Sequence, residues 1–132
     1  MRQLPIWAGV VLFTAVAATA AQPARVREHN PGWVAPATAN AKKNPLPDTP
    51  DLKAGGKKVF HARCSMCHGD DALGTERGPD LTQHDVQKQS DGALFWKITS
   101  GNTRTGMPTF SFLPEAQRWQ LVMHVRGHAR TP

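Results

Sequence analysis

The chain has 132 residues, about the length of one domain, and its 16 Lys and Arg exceed its 10 Asp and Glu by six. This excess is spread along the chain, with one positive charge in residues 1–21, two in 22–50 and three in 51–132. A nucleic-acid-binding domain concentrates its positive charge on one element with aromatic residues between, and no such run occurs, so the composition argues against nucleic-acid binding.

The first element in chain order is a predicted signal peptide over residues 1–21. Arg2 precedes an apolar run over 4–18, and small residues follow it, which is the order that a secretory signal has. The run is shorter than the roughly 20 residues that a helix needs to cross a bilayer. We therefore expect cleavage near Ala20 or Ala21 and a periplasmic or secreted bacterial protein. The alternative is an uncleaved membrane anchor.

Residues 22–49 are predicted to form a Pro-rich leader or linker. Proline removes helix hydrogen bonds, and the segment has too little apolar content for a core face of its own. Trp33 is the exception, because a tryptophan is unusual in a disordered linker. We expect Trp33 and Pro36 to mark a point where the leader packs on the domain.

A helix is predicted to begin after Thr49, which suits the N-cap position, with Pro50 as the first helical residue and Asp51 in the first turn. The pattern predicts a helix of about 14 residues that ends near Cys64. The residues that share one face of this helix are Leu52, Gly56, Val59, Phe60 and Arg63.

Two further helices are predicted. The first begins at Ser90 and ends at Gly101, which suits a helix C-terminus, and the second begins at Pro114. Their apolar faces carry Leu94, Phe95 and Ile98 in the first, and Ala116, Leu121, Val122 and Val125 in the second. No alternation long enough for a pair of strands occurs, so the class is all-α. A domain this small, over 50–129, usually needs a disulfide, a metal or a bound group for stability.

The motif that carries the chemistry is Cys64-Ser65-Met66-Cys67-His68. This C-x-x-C-H pattern is the haem attachment signature, in which two thiols bind the porphyrin covalently and the adjacent histidine ligates the iron. The alternatives for the two cysteines are a thioredoxin-like redox pair, half of a zinc site, or a plain disulfide. The first lacks a βαβ setting, and the second lacks another close pair of ligands.

The run from Gly56 to His68, followed by Gly78-Pro79 and Met107, resembles class I c-type cytochromes. The resemblance covers about residues 50–129. It implies an all-α fold of three to four short helices around one covalently attached haem c, bound through Cys64 and Cys67.

The resemblance also implies roles for single residues. The backbone carbonyl of Pro79 is expected to accept the hydrogen bond of the proximal imidazole. Gly56 and Phe60 are expected to meet the last helix at Leu121 and His124. His124 stands where the family often has a tyrosine.

Met107 is the predicted sixth ligand of the iron, opposite His68. Met66 lies inside the attachment turn and Met123 within a predicted helix, whereas Met107 precedes a proline that disfavours helical geometry, so a loop can aim its sulfur. A His and Met pair raises the reduction potential. The rival is His84, which would give a bis-His haem.

With both axial positions filled by protein, no open iron site remains for a substrate. The sequence therefore predicts a one-electron carrier between a donor dehydrogenase or membrane complex and an acceptor oxidase or reductase, and not an enzyme. We expect a monomer that meets a membrane only through partners or an uncleaved signal. One alternative is a haem c subunit of a periplasmic dehydrogenase or oxidase complex. The other is a haem sensor or peroxidase, which needs an open sixth position.

Overall fold

The computed structural model describes residues 25–130, so the predicted signal peptide lies outside the described residues. Over this range the chain is helical, and its β pairing is limited to two isolated bridges, Arg27 with Pro79 and Asn102 with Met107. The helices are α1 (Ala37–Asn40), α2 (Pro50–Arg63), α3 (Ser65–His68), α4 (His84–Gln87), α5 (Asp91–Ser100), a 3₁₀ helix (Thr103–Thr105) and α6 (Glu115–Arg126). None of the helices between residues 25 and 130 combines the length and hydropathy that crossing a membrane requires.

The predicted caps set the ends of α2 and α5. Thr49 Oγ1 accepts a hydrogen bond from the backbone N–H of Leu52 at 3.4 Å, and Ser90 Oγ accepts one from Ala93 at 3.0 Å. Gly101 ends α5 with φ +63°, a backbone conformation that L side chains rarely adopt. Both helices therefore confirm the predicted boundaries. The short helices α1, α3 and α4 were not predicted as separate elements.

The crossing of α2 and α6 holds the domain together. A Cβ at Gly56 would overlap the backbone carbonyl oxygen of Gln120 and would lie 2.8 Å from its carbonyl carbon. One turn later the ring of Phe60, only 1% exposed, lies 4.7 Å from that of His124. This confirms the expected crossing, in which the Gln120 backbone, rather than Leu121, is the closest neighbour of Gly56.

Helix α6 also packs on α5 through an aromatic pair. Phe95 stacks on Trp119 with ring centroids 4.0 Å apart and an interplanar angle of 18°. The prediction that Ala116 lies on the buried face was wrong, because Ala116 belongs to the exposed first turn of α6 and the packing begins at Trp119. The main core comprises Phe60, Ala72, Val86, Leu94, Phe95, Phe110, Leu113, Trp119, Leu121, Val122 and Val125.

The part of the leader that the structure describes packs on the helical domain. The ring of Trp33 lies 6.3 Å from that of Trp96, and Lys97 Nζ lies 4.9 Å from the Trp33 ring centroid in a cation–π contact. Trp33 therefore contacts the domain as predicted. The prediction for Pro36 was wrong, because this residue is exposed. It precedes α1, whose Ala39 is buried together with Ala35 and with Ala93 of α5.

Gly92 provides a test of this packing, because a Cβ there would overlap the Ala39 carbonyl oxygen and lie 2.8 Å from that of Lys42. We expect Gly92→Ala to release α1 from α5. Overpacking costs about 1–3 kcal/mol, which raises the fraction of molecules in which α1 has come away from α5. Since trypsin cleaves this open form, it should cleave after Lys42 and Lys43 roughly tenfold faster than in the unchanged protein. Gly32→Ala, whose Cβ would meet only the Asn30 side chain, is the control. If the unchanged leader is cleaved as fast as an unfolded peptide, it does not pack in solution.

Candidate haem site

The two cysteines and His68 lie on a single helical turn directly after α2. The backbone carbonyl of Cys64 accepts hydrogen bonds from the N–H groups of Cys67 and His68, both at 3.0 Å. The two cysteines form no disulfide with each other, and both side chains are half-buried. The turn therefore presents two cysteine side chains and one imidazole from five consecutive residues, which is the arrangement that the C-x-x-C-H motif predicts.

His68 is held as a neutral ligand by burial and one hydrogen bond. Its side chain is buried at 9% exposure, and Nδ1 lies 2.9 Å from the backbone carbonyl oxygen of Pro79. A carbonyl only accepts, so Nδ1 carries the proton and Nε2 is left free for a metal. Burial lowers the pKa of His68, against the opposing effect of the Pro79 hydrogen bond. The geometry is the one implied for the proximal imidazole.

The loop after α3 is built around this turn. A Cβ at Gly78 would lie 2.8 Å from the Cys67 carbonyl oxygen and 3.1 Å from His68 Cε1, so glycine allows the loop to approach the imidazole closely. Thr75 Oγ1 donates to the same Cys67 carbonyl at 2.6 Å. This hydrogen bond of Thr75 is not indicated by the sequence. A hydroxyl residue in a Gly-rich loop is too common a feature to indicate such a bond.

The electrostatics of Cys64 argue against a thiol–disulfide function. Burial, followed by the neighbouring Cys67, raises the pKa of the Cys64 thiol to about 12. A thioredoxin-like pair needs the opposite, a lowered pKa that populates the thiolate. A structural zinc site at the two cysteines also finds no support, because within residues 25–130 they belong to no preformed group of three or more His, Cys, Asp or Glu ligands.

Met107 lies in a short loop with a fixed backbone. Asn102 N–H donates to the Met107 carbonyl at 2.9 Å, and Met107 N–H donates to the Asn102 carbonyl at 3.1 Å. Gly106 directly precedes Met107, and its φ of +91° allows the chain to turn there. Met107 is half-buried against the main core, as Cys64 is. The loop therefore orders Met107 beside the same core that the haem-attachment turn borders.

The other candidate ligands lie in less suitable places. His84 is exposed at the first position of α4. Met66 is 72% exposed, and Met123 is buried within α6. These positions agree with the grounds for choosing Met107, whose ligation of the iron stays a prediction.

Arg27, a leader residue, links the loops on the two sides of this site. Its backbone N–H donates to the Thr75 carbonyl at 2.8 Å. Its guanidinium donates to the Arg77 carbonyl at 3.3 Å and to the Thr105 carbonyl, two residues before Met107. No sequence pattern indicates these bonds, because they join residues far apart in the chain.

The residues present fit haem c. Two half-buried thiols lie within one helical turn, and a buried neutral imidazole next to them has its second nitrogen fixed by a carbonyl. When bound, haem c supplies an iron that gains and loses one electron. The all-α fold and this site define a c-type cytochrome.

The chain belongs to the family described as cytochrome c oxidase, cbb3-type, subunit III, whose model matches residues 51–125. Haem c is bound covalently through Cys64 and Cys67, as the motif predicts.

Solved structures of c-type cytochromes are similar to this chain. One is the KustC0563 c-type cytochrome, with 28% identity and a TM-score of 0.52, a match that covers 57% of this chain and 98% of that one. Another is cytochrome CL from the marine methylotrophic bacterium Methylophaga aminisulfidivorans, with 26% identity and a TM-score of 0.53. That match covers 61% of this chain and 55% of the methylotroph protein, so the similarity spans about half of its length. No curated protein matches the sequence.

Proposed function

We propose that this cytochrome is a periplasmic one-electron carrier with His68 and Met107 as the axial ligands of its single haem. The observation that carries the proposal is the orientation of the proximal ligand. The Nδ1 atom of buried His68 lies 2.9 Å from the Pro79 carbonyl oxygen, which fixes the imidazole. The ordered loop of Met107 supports a second protein ligand. With both axial positions taken, the protein exchanges electrons and leaves no iron position for a substrate.

The donor in this proposal is a dehydrogenase or a membrane complex, and the acceptor is a terminal oxidase or reductase. The apolar run over residues 4–18 supports the periplasmic part of the proposal. The match to the KustC0563 c-type cytochrome covers 98% of that chain, so that chain consists almost wholly of the region that it shares with this domain. This supports a carrier that works as a separate molecule.

A second candidate function is a haem c subunit of an oxidase or dehydrogenase complex. It is favoured by the description of the matching family, which names a subunit of a cbb3-type oxidase. Purification from native membranes and periplasm separates the two proposals. A carrier is recovered alone, whereas a subunit is recovered together with the other chains of its complex.

The carrier proposal predicts reversible one-electron chemistry at a closed iron site. A redox titration followed by absorption spectroscopy should give a single transition with a slope of about 59 mV per decade, the value for one electron. Carbon monoxide should leave the spectrum of the ferrous protein unchanged. A spectrum that changes with carbon monoxide or peroxide would indicate an open sixth position and would support a sensor or a peroxidase instead.

A further inference from the structure

Three histidines that the haem site does not use meet in one cleft. His61 from α2 and His124 and His128 at the end of α6 line a space of about 340 Å³, which the loop after α3 completes. We propose that this cleft is a second metal site, which binds a divalent transition-metal ion such as Zn²⁺ through His124 and His128, with His61 as a third ligand.

The geometry of His124 and His128 is the first support. Their Nε2 atoms lie 3.2 Å apart, and their ring centroids are 4.7 Å apart. Two nitrogens bound to one Zn²⁺ at about 2.0–2.1 Å in tetrahedral geometry are themselves about 3.3 Å apart. The spacing of four residues places both rings on one side of the helix end. The pair therefore already has the separation that one shared metal ion requires.

His61 and Asp70 supply the second support. Asp70 Oδ1 lies 3.1 Å from His61 Nδ1, so the carboxylate can accept from that nitrogen and leave Nε2 as the free ligand. A carboxylate that orients a metal-binding histidine in this way is common in zinc sites. The His61 ring centroid lies 6.4 Å from that of His124. His61 therefore lies beside the pair, and its Nε2 is the candidate third ligand.

The site is preformed only in part. No group of three or more metal ligands is assembled within residues 25–130, so water completes the coordination when the ion first meets the pair. Recruitment of His61 would then link α2 to α6 through the metal. Because only the folded chain holds these residues together, metal binding should also stabilise the fold.

The cleft carries charges of both signs beside the three histidines. Lys53 and Lys57 line it and oppose a bound cation, whereas Asp70 and Asp71 line it and attract one. Because these opposite charges offset each other, the affinity for the metal has to come from the imidazole nitrogens.

Calorimetric titration with Zn²⁺ at pH 7 tests the proposal, using the ferrous holoprotein after a chelator has removed all metal ions other than the haem iron. We expect one ion per chain, with shifts of the NMR signals of His124 and His128, which are observable because a low-spin ferrous haem with two protein ligands is diamagnetic. His124→Gln and His128→Gln should each lower the association constant by at least about tenfold, and Asp70→Asn by about tenfold. The His128 ring lies beyond the end of α6 and 6.3 Å from that of Phe60, further than the 4.7 Å of His124, so His128→Gln is informative even if His124→Gln disturbs the packing of Phe60.

His84→Gln is the matched control, because it removes an exposed histidine from another part of the surface. It should bind Zn²⁺ as the unchanged protein does. Absence of binding at millimolar Zn²⁺, or an unchanged association constant in His128→Gln, would overturn the proposal. An equal loss in His84→Gln would overturn it too, since the ion would then bind elsewhere.

Discussion

Replacing Met107 with alanine is expected to open the iron to external ligands and to lower the reduction potential. Met107 is held by reciprocal backbone bonds with Asn102, so alanine removes the thioether while the loop keeps its backbone anchor. A thioether ligand favours the reduced iron. The fall should be on the order of 0.1 V or more, within the roughly 0.8 V that axial ligands span. Redox titration measures the fall, and carbon monoxide binding to the ferrous protein measures the open position.

The control is His84→Ala, which should leave the potential, the carbon monoxide response and the spectrum nearly unchanged. The unchanged ferric protein should also show the weak near-infrared sulfur-to-iron band of a thioether ligand, and Met107→Ala should lack it. If the two variants behave the other way round, His84 is the distal ligand. The carrier would then be a bis-His cytochrome of lower potential.

Gly56→Ala is expected to destabilise the fold strongly at the crossing of α2 and α6. The new Cβ would overlap the Gln120 backbone carbonyl, which can move only if the helices separate. Overpacking costs about 1–3 kcal/mol or more, and the better helix propensity of alanine returns less than about 1 kcal/mol. Because the overlap is with backbone, we expect a cost near the upper end of that range and a net loss of about 2 kcal/mol, measured as a lower midpoint of urea unfolding of the ferric holoprotein.

Gly55→Ala is the matched control, because it makes the same chemical change one residue earlier in α2. Its Cβ would meet only the side-chain end of Gln120, with the nearest atom, Oε1, at 2.8 Å, and that flexible group can turn away. This variant should be as stable as the unchanged protein or slightly more stable. Equal midpoints for Gly55→Ala and Gly56→Ala would show that the helices do not cross at Gly56 as described.

The features that were predictable from the sequence are the ones that local chemistry determines. Thr49 and Ser90 mark their helices because a hydroxyl can satisfy a free N–H, and Gly101 ends α5 because few residues adopt its backbone angles. The attachment turn is local too, since five consecutive residues carry it. The partner of Trp33 could not be predicted, because Trp96 is 63 positions away and only the packed fold brings the two together.

The residues of the candidate site also fall into two groups, those that the sequence indicates and those that only the fold brings together. His68 follows from the motif, and Pro79 as its partner follows from the family resemblance, which carries long-range information that spacing alone lacks. The hydrogen bond of Thr75 to the Cys67 carbonyl and the histidine cleft could not be predicted, because both depend on how loops and helix ends meet in space. His61 and Asp70 stand on different elements, and no sequence periodicity links them to His124.

The bonds of Arg27 have a consequence for the order in which the chain folds. The carbonyls that its guanidinium binds belong to residues 50 and 78 positions further along. Closing loops of this length costs more entropy than closing the short ones within the helical hairpins, and contacts between distant residues form late. Arg27 precedes its partners in the chain, but it can bind both carbonyls only when the loops of Arg77 and Thr105 have come together. The described part of the leader is therefore expected to dock after the helical domain has formed, although it precedes that domain in the sequence.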